Sequence, residues 1–244
     1  ACGAITLAPF DLIGDTLRGL RGILMDMYRC PDQLLAAIEK VTPMMIGGAL
    51  DQAKMSGCPG VFIPLHKGSD GFMSLEQFET FYWPFLRKII MALIDEGIIA
   101  SLFAEGSYNQ RLEIIADFPK GKCIWWFDQT DMGRAKEVLG DVCCIAGNVS
   151  TAIMAAGTPE EVKAYCKDLI EVAGRDGGYI LTNGCGVDHA KAENVEGKGL
   201  EEPASFTFST VGFLEVSQVM PSAGSDELDP DTVVTVVFNR PVVP

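Results

Sequence analysis

The sequence lacks several features that define well-known classes of protein. No two cysteines are spaced as Cys-x-x-Cys, and no apolar run reaches the roughly 20 residues that a membrane-spanning helix needs. Positive charge is scarce, because 19 Lys and Arg stand against 33 Asp and Glu and give a formal net charge of −14. Such an acidic surface repels phosphate groups, so we expect neither nucleic acid nor membrane among the partners.

The chain also lacks an initial methionine and any signal peptide, which favours a fragment of a longer protein. Its 244 residues are 48% hydrophobic, enough for a sizeable core. The eight cysteines are scattered through apolar segments and do not form the pattern of a disulfide framework. We therefore expect reduced thiols and a cytoplasmic protein. The cysteines are Cys2, Cys30, Cys58, Cys123, Cys143, Cys144, Cys166 and Cys185.

Amphipathic helices alternate with short apolar strands over residues 11–196. Capping boxes that begin at Ser74 and Thr158 mark two of the helix starts. Strict alternation of this kind requires a parallel sheet with right-handed crossovers. The pattern fits either a doubly wound open sheet or part of an eight-stranded barrel, which as a whole takes about 250 residues. Five strands are predicted, at residues 61–65, 99–104, 123–127, 142–146 and 179–182.

The composition changes after residue 196. Residues 197–203 form a polar break, and the segments that follow are rich in Val, Phe, Thr and Ser with stretches of period two. This pattern is typical of a β-hairpin and differs from the alternation before it. The sequence therefore predicts a domain boundary near residue 197, between an α/β portion at 1–196 and a β-rich tail at 197–244.

Polar residues follow the predicted strands, where parallel α/β folds carry their chemistry. His66, Glu105, Asp128, Asn148 and the turn that contains Cys185 each come after a strand. Any one of them alone could simply cap the next helix, Asp128 above all. Together they predict a site at this edge of the sheet.

Three of these residues have side chains that suit zinc. An imidazole at His66, a carboxylate at Glu105 and a thiolate at Cys185 would leave a fourth position open, as catalytic zinc sites do. A small-molecule substrate would then lie against His66, Phe103, Tyr108 and Trp126.

A series of segments carries a resemblance to a known family. It includes Ala8-Pro9-Phe10-Asp11, Pro64-Leu65-His66-Lys67-Gly68, Trp126-Phe127-Asp128, Ala146-Gly147-Asn148-Val149 and Asn183-Gly184-Cys185-Gly186. In order and spacing these segments resemble the uroporphyrinogen decarboxylase superfamily, which includes the cobalamin and thiol methyltransferases. The resemblance covers about residues 1–196. It implies an α/β fold, the C-terminal portion of a TIM-type (β/α)8 barrel with about five parallel βα units, followed here by the short β-rich tail.

The closing turn distinguishes the branches of this superfamily. The resemblance implies Gly-His-Gly at this turn in decarboxylases. This sequence instead has a cysteine at 185, as zinc methyltransferases do. The resemblance thus implies an enzyme that moves a methyl group between a corrinoid, held by a partner protein, and a thiol or similar acceptor. Asp128 and Asn148 would act in catalysis by positioning the substrate. One departure is that the methyltransferases carry His-x-Cys where Phe103-Ala104-Glu105 stands here, so only Glu105 could coordinate at that place.

Two alternatives remain open. The first is a carboxy-lyase that decarboxylates a porphyrinogen, with an acid such as Asp128 stabilising the pyrrolic nitrogens. The second is a non-catalytic fragment or subunit that needs another chain, including a second copy of itself, to complete the barrel. The tail around residues 219–244 resembles the opening strands of bacterial Ig-like or α2-macroglobulin-type domains.

Overall fold

The computed structural model describes residues 3–185, 216–220 and 235–238. The chain divides into two compact units, Ala1–Asp188 and His189–Pro244. The boundary predicted near residue 197 lies outside the described residues and stays a prediction. Within the described ranges, no helix is both long enough and apolar enough to cross a membrane.

The described residues form six strands in the first unit and two in the second. In chain order they are β1 (Ala4–Ile5), β2 (Gly60–Leu65), β3 (Ile99–Ala104), β4 (Cys123–Phe127), β5 (Cys144–Val149), β6 (Tyr179–Asn183), β7 (Val216–Met220) and β8 (Thr235–Phe238). β7 and β8 pair with each other as antiparallel strands.

The helices of the first unit lie between its strands. They are α1 (Pro9–Leu12), a first π-helix (Ile13–Arg18), α2 (Gly19–Arg29), α3 (Pro31–Ser56), α4 (Leu75–Gln77), a second π-helix (Phe78–Tyr82), α5 (Trp83–Asp95), α6 (Leu112–Ile115), α7 (Met132–Leu139), α8 (Thr151–Ala156) and α9 (Pro159–Ala173). Both predicted capping boxes form, with Ser74 accepting from the Gln77 amide and Thr158 from the Glu161 amide.

The six strands of the first unit form one sheet in the order β1-β2-β3-β4-β5-β6, and every neighbouring pair is parallel. A doubly wound sheet would reverse its strand order at a switch point, whereas sequential order is the arrangement around a barrel. The predicted partial barrel is therefore confirmed. It has one strand more than the five predicted, because β1 is only two residues long and gives almost no periodic signal.

The strands pack one face against the helices and turn the other towards the concave side of the sheet. On β3 and β4, Leu102 and Trp125 are fully buried against the helices. On the opposite face of the sheet, Phe62 of β2, Ser101 of β3 and Trp126 of β4 are only half-buried. Since successive side chains of a strand point to opposite faces, these residues line the concave surface.

One predicted strand lies elsewhere by a few residues. The segment predicted at 142–146 forms β5 at Cys144–Val149, because the amides of Val142 and Cys143 still bond to the Leu139 carbonyl at the end of α7. Asn148 consequently lies inside β5 and not beyond its end.

Candidate functional site

Three polar side chains form a layer at the carboxyl ends of β2, β3 and β4. Leu65, Ala104 and Phe127 are neighbours in the sheet register. The residues that follow them, His66, Glu105 and Asp128, therefore lie next to each other as well. The His66 Nε2 atom is 4.0 Å from Glu105 Oε1. Asp128 Oδ2 accepts a hydrogen bond of 3.0 Å from the Gly106 amide, which ties the ends of β3 and β4 together.

An aromatic layer lies on the same face, two residues earlier on the central strands. The ring centroids of Phe103 and Trp126 are 4.3 Å apart, and Phe62 lies 6.4 Å from each of them. The Trp126 indole is held in place because its Nε1–H donates to the Asn183 carbonyl at 2.7 Å. Two of the residues predicted to contact substrate, Phe103 and Trp126, are thus brought together beside Glu105.

The His66 ring is held by Asp15, a residue that was not predicted from the sequence because it follows no strand. Asp15 lies in the first π-helix, and its Oδ2 is 2.7 Å from His66 Nδ1. Its other oxygen accepts a hydrogen bond from the buried Lys67 ammonium. The π-helix widens the turn at the position that faces the end of β2, and such irregularities occur often at functional sites.

The His66 backbone is held by a second aspartate, Asp11, which lies four residues before Asp15. Asp11 in α1 is fully buried, and its Oδ2 accepts hydrogen bonds from the His66 amide at 3.0 Å and from the Tyr82 hydroxyl at 2.5 Å. Its Oδ1 is buried without a hydrogen-bond partner in the described part of the chain. The signal that could have revealed the pair is two acids at i and i+4 in an otherwise apolar segment.

Burial changes the acidity of both groups that border the site. Removal from water raises the pKa of Asp11 to about 6, although the Tyr82 hydroxyl and the Lys67 charge act in the opposite direction. Burial also raises the pKa of Glu105; the nearby His66 lowers it, and Asp128 and Asp15 add to the increase. The carboxyl groups of Asp11 and Glu105 therefore hold their protons more tightly than ordinary carboxyl groups do.

Asn148 and Tyr108 are both buried. Asn148 is almost completely buried, and its Nδ2 donates to the Thr130 carbonyl at 2.7 Å. Tyr108 is fully buried, with its ring against Phe78 and Trp125 at centroid distances of 6.4 and 6.3 Å. The structure thus places Tyr108 in the core behind the sheet and not beside the aromatic layer.

An open cleft of about 710 Å³ is lined by the loops that follow β4 and β5 and by helix α9. Asp128 and Asn148, the two residues predicted to position substrate, both line it, together with Thr130, Thr151 and Tyr165. The two residues predicted to position substrate therefore border the same cleft.

The three predicted zinc ligands do not converge. Cys185 is half-buried, and its Sγ lies 3.8 Å from Thr151 Oγ1, while His66 and Glu105 face each other at the ends of β2 and β3. Among residues 3–185 and the two tail strands, no group of three His, Cys, Asp or Glu side chains is placed to hold a metal ion. The residues described do not fit a three-ligand zinc centre.

Comparison with known proteins gives one consistent family. A family model described as "Uroporphyrinogen decarboxylase (URO-D)" matches residues 1–196. Proteins named uroporphyrinogen decarboxylase from Aromatoleum aromaticum and Syntrophotalea carbinolica are 29% identical over 187 residues and 24% identical over 182 residues. Each match covers 75% of this chain and 51% of the relative, so the chain spans about half the length of these relatives.

A solved structure supports the fold independently. A methyltransferase from Methanosarcina mazei superposes with a TM-score of 0.60 at 19% sequence identity, covering 75% of this chain and 52% of the other. At this identity the likeness establishes the shared barrel architecture alone.

Proposed function

The chain belongs to the uroporphyrinogen decarboxylase family, and from this premise we propose that it forms the substrate-facing part of a methyltransferase. The reaction would move a methyl group between a corrinoid carried by a partner protein and a thiol or similar small-molecule acceptor. The observation that carries the proposal is the layer of His66, Glu105 and Asp128 beside the Phe103–Trp126 pair.

The arrangement suits a small acceptor with one acidic proton. The aromatic pair offers an apolar surface, and the adjoining layer offers an imidazole and two carboxylates to bind or accept a proton. A substrate with many carboxylates finds little support there, because Lys67, the cation next to the layer, is already paired with Asp15. The cysteine at 185 also favours the methyltransferase branch, because the resemblance implies a histidine at this position in decarboxylases.

Zinc stays a prediction for this chain. Glu105, Cys185 and His66 are the ligands that the resemblance implies, but their separation in the structure supports no step that passes through a metal. Elemental analysis of the purified chain and of Cys185→Ala tests it. Stoichiometric zinc that is lost in the variant would support the ligand set, whereas no zinc in either would remove it.

Decarboxylation is the second candidate, favoured by the names of the curated relatives. Asp128 would then stabilise pyrrolic nitrogens of a porphyrinogen. Two assays on the same preparation separate the candidates. One follows the absorbance of methylcobalamin with 2-mercaptoethanol as acceptor, and the other follows carboxylate loss from uroporphyrinogen.

Completion of the barrel is a further part of the proposal. The described sheet has six strands and open edges at β1 and β6, whereas a closed barrel of this type has eight. Strands from another chain, including a second copy, would cover those edges and the concave aromatic face. Methyl loss from methylcobalamin in the presence of the thiol would support the function. Carboxylate loss alone would establish the second candidate, and neither reaction at any oligomeric state would favour a non-catalytic subunit.

A further inference from the structure

We infer that His66 Nε2 is the proton acceptor that activates the thiol in the proposed reaction, with Asp15 and Asp11 as the residues that position it. The inference rests on the proposed function for the identity of the substrate. Its physical content, the location of the ring proton on His66, can be measured without turnover. It also accounts for an acceptor site in which the expected metal ligands do not converge.

The contact with Asp15 decides which ring nitrogen carries the proton. One oxygen of Asp15 is paired with the Lys67 ammonium, and the other lies against the His66 ring. A carboxylate paired with an ammonium is ionised, and an ionised carboxylate can only accept hydrogen bonds. At 2.7 Å from Asp15 Oδ2, His66 Nδ1 must be the donor. The lone pair of the neutral ring then lies on Nε2.

The free nitrogen faces the site and is accessible. Nε2 points towards Glu105, at 4.0 Å from its nearest oxygen, and the His66 side chain is 35% exposed. No shorter polar contact to Nε2 occurs among the described residues. A substrate proton can therefore reach it, as the geometry of a general base requires.

Asp11 fixes the same residue through the main chain. Its Oδ2 accepts the His66 amide, and the Tyr82 hydroxyl anchors that oxygen from the second π-helix. Because Asp11 and Asp15 lie one helical turn apart, a single segment holds His66 at both its backbone and its ring. Rotation of the imidazole away from Glu105 would break at least one of these contacts.

The proton transfer balances without a metal. The S–H bond of the thiol breaks, its electron pair stays on sulfur, and the proton forms a new N–H bond at His66 Nε2. The resulting imidazolium is stabilised by the Asp15 carboxylate on its other side. The thiolate is the form that attacks a methyl group.

The test exploits the chain's two histidines, His66 and His189. In the 244-residue chain labelled with ¹⁵N-histidine and studied at about pH 9, well above the pKa of an ordinary imidazole, we expect His66 to show a protonated Nδ1 and an unprotonated Nε2. His189→Gln assigns the signals. Asp15→Asn should remove the preference, since an amide can donate as well as accept. The matched control, Asp51→Asn on the exposed face of α3, should not change it.

A second readout compares the nucleophilicity of the two rings. Carbethoxylation by diethyl pyrocarbonate, followed by mass spectrometry, should modify His66 several-fold more slowly in Asp15→Asn than in the native chain, with His189 as internal reference. A native His66 protonated on Nε2, or an Asp15→Asn variant indistinguishable from the native chain, would overturn the assignment. If Asp15→Asn does not fold, the native proton position decides alone. A correct proton position without methyl transfer would instead count against the proposed function.

Discussion

Asp11→Asn should remove a pH dependence of stability that one buried carboxylate creates. Asp11 is fully buried, and its pKa of about 6 lies above the value of 3.8 expected in the unfolded chain. Below about pH 4 both the folded and the unfolded state hold the proton, so this group adds no pH dependence to the free energy of unfolding there. As the pH rises, the unfolded state loses the proton first, and the free energy of unfolding of the native chain falls until about pH 6, where the folded state ionises too.

The size of this loss follows from the two pKa values. The difference between about 6 and 3.8 corresponds to about 3 kcal/mol, of which about 1.4 kcal/mol falls between pH 5 and 7.5. Asparagine keeps an acceptor oxygen for Tyr82 and His66, so those two hydrogen bonds survive. Its NH₂ group takes the place of Oδ1, which has no partner, and an unsatisfied donor there costs about 1–3 kcal/mol at every pH. The relative stability of the variant should therefore rise with pH.

Urea unfolding followed by tryptophan fluorescence measures this difference. All three tryptophans, Trp83, Trp125 and Trp126, lie in the first unit, so the signal reports that unit alone. Measurements from pH 5 to 7.5 stay above the pI of about 4.5. Asp51→Asn, which changes an exposed carboxylate on α3, is the matched control and should run parallel to the native chain. Parallel curves for Asp11→Asn and the native chain would refute the assignment of a high pKa to this carboxyl.

Further predictions concern the site and the loop after β2. His66→Gln should lower thiol-dependent methyl transfer by about 10²–10⁴-fold, because the proton acceptor is lost; an unchanged rate in the methylcobalamin assay would exclude the role. Arg111→Met should lower the free energy of unfolding by about 3–5 kcal/mol, because fully buried Arg111 bonds to three loop carbonyls and to Asp70. A loss below about 1 kcal/mol in urea would contradict this. Gly68→Ala should cost about 1–3 kcal/mol, since its Cβ would lie 2.4 Å from the Tyr108 hydroxyl; a thermal midpoint equal to that of the native chain would show that the ring can move.

The fold was largely predictable because buried parallel strands and capped helices leave local signals. β3 and β4 match their predicted bounds, and the resemblance supplied the choice of a barrel that alternation alone left open. β1 was missed because a two-residue strand is defined only by its pairing with β2, more than 50 residues away. β5 was misplaced because the apolar residues at 142 and 143 end the preceding turn and do not begin the strand.

The exposed side chains of the candidate site were predictable, and the contacts that hold them were not. His66, Glu105 and Asp128 follow strands, and this position alone identifies them. Asp15 contacts His66 from 51 residues away, and the contact depends on a π-helix that has no recognised sequence pattern. The same holds for Tyr82, which ends the second π-helix and contacts Asp11 from 71 residues away.

The identity of residue 11 argues that this support serves chemistry as well as packing. A structural role would require only an acceptor for the His66 amide and the Tyr82 hydroxyl. Asparagine supplies one without burying a charge, although its NH₂ group would lack a partner at the position of Oδ1. The chain instead carries a carboxylate that weakens the fold near neutral pH. Proteins accept such losses most often where an ionisable group takes part in function. Asp11→Asn tests this directly. If it removes the pH dependence and also lowers methyl transfer while the His66 proton stays on Nδ1, the charge at position 11 acts on the reaction and not merely on the position of the ring.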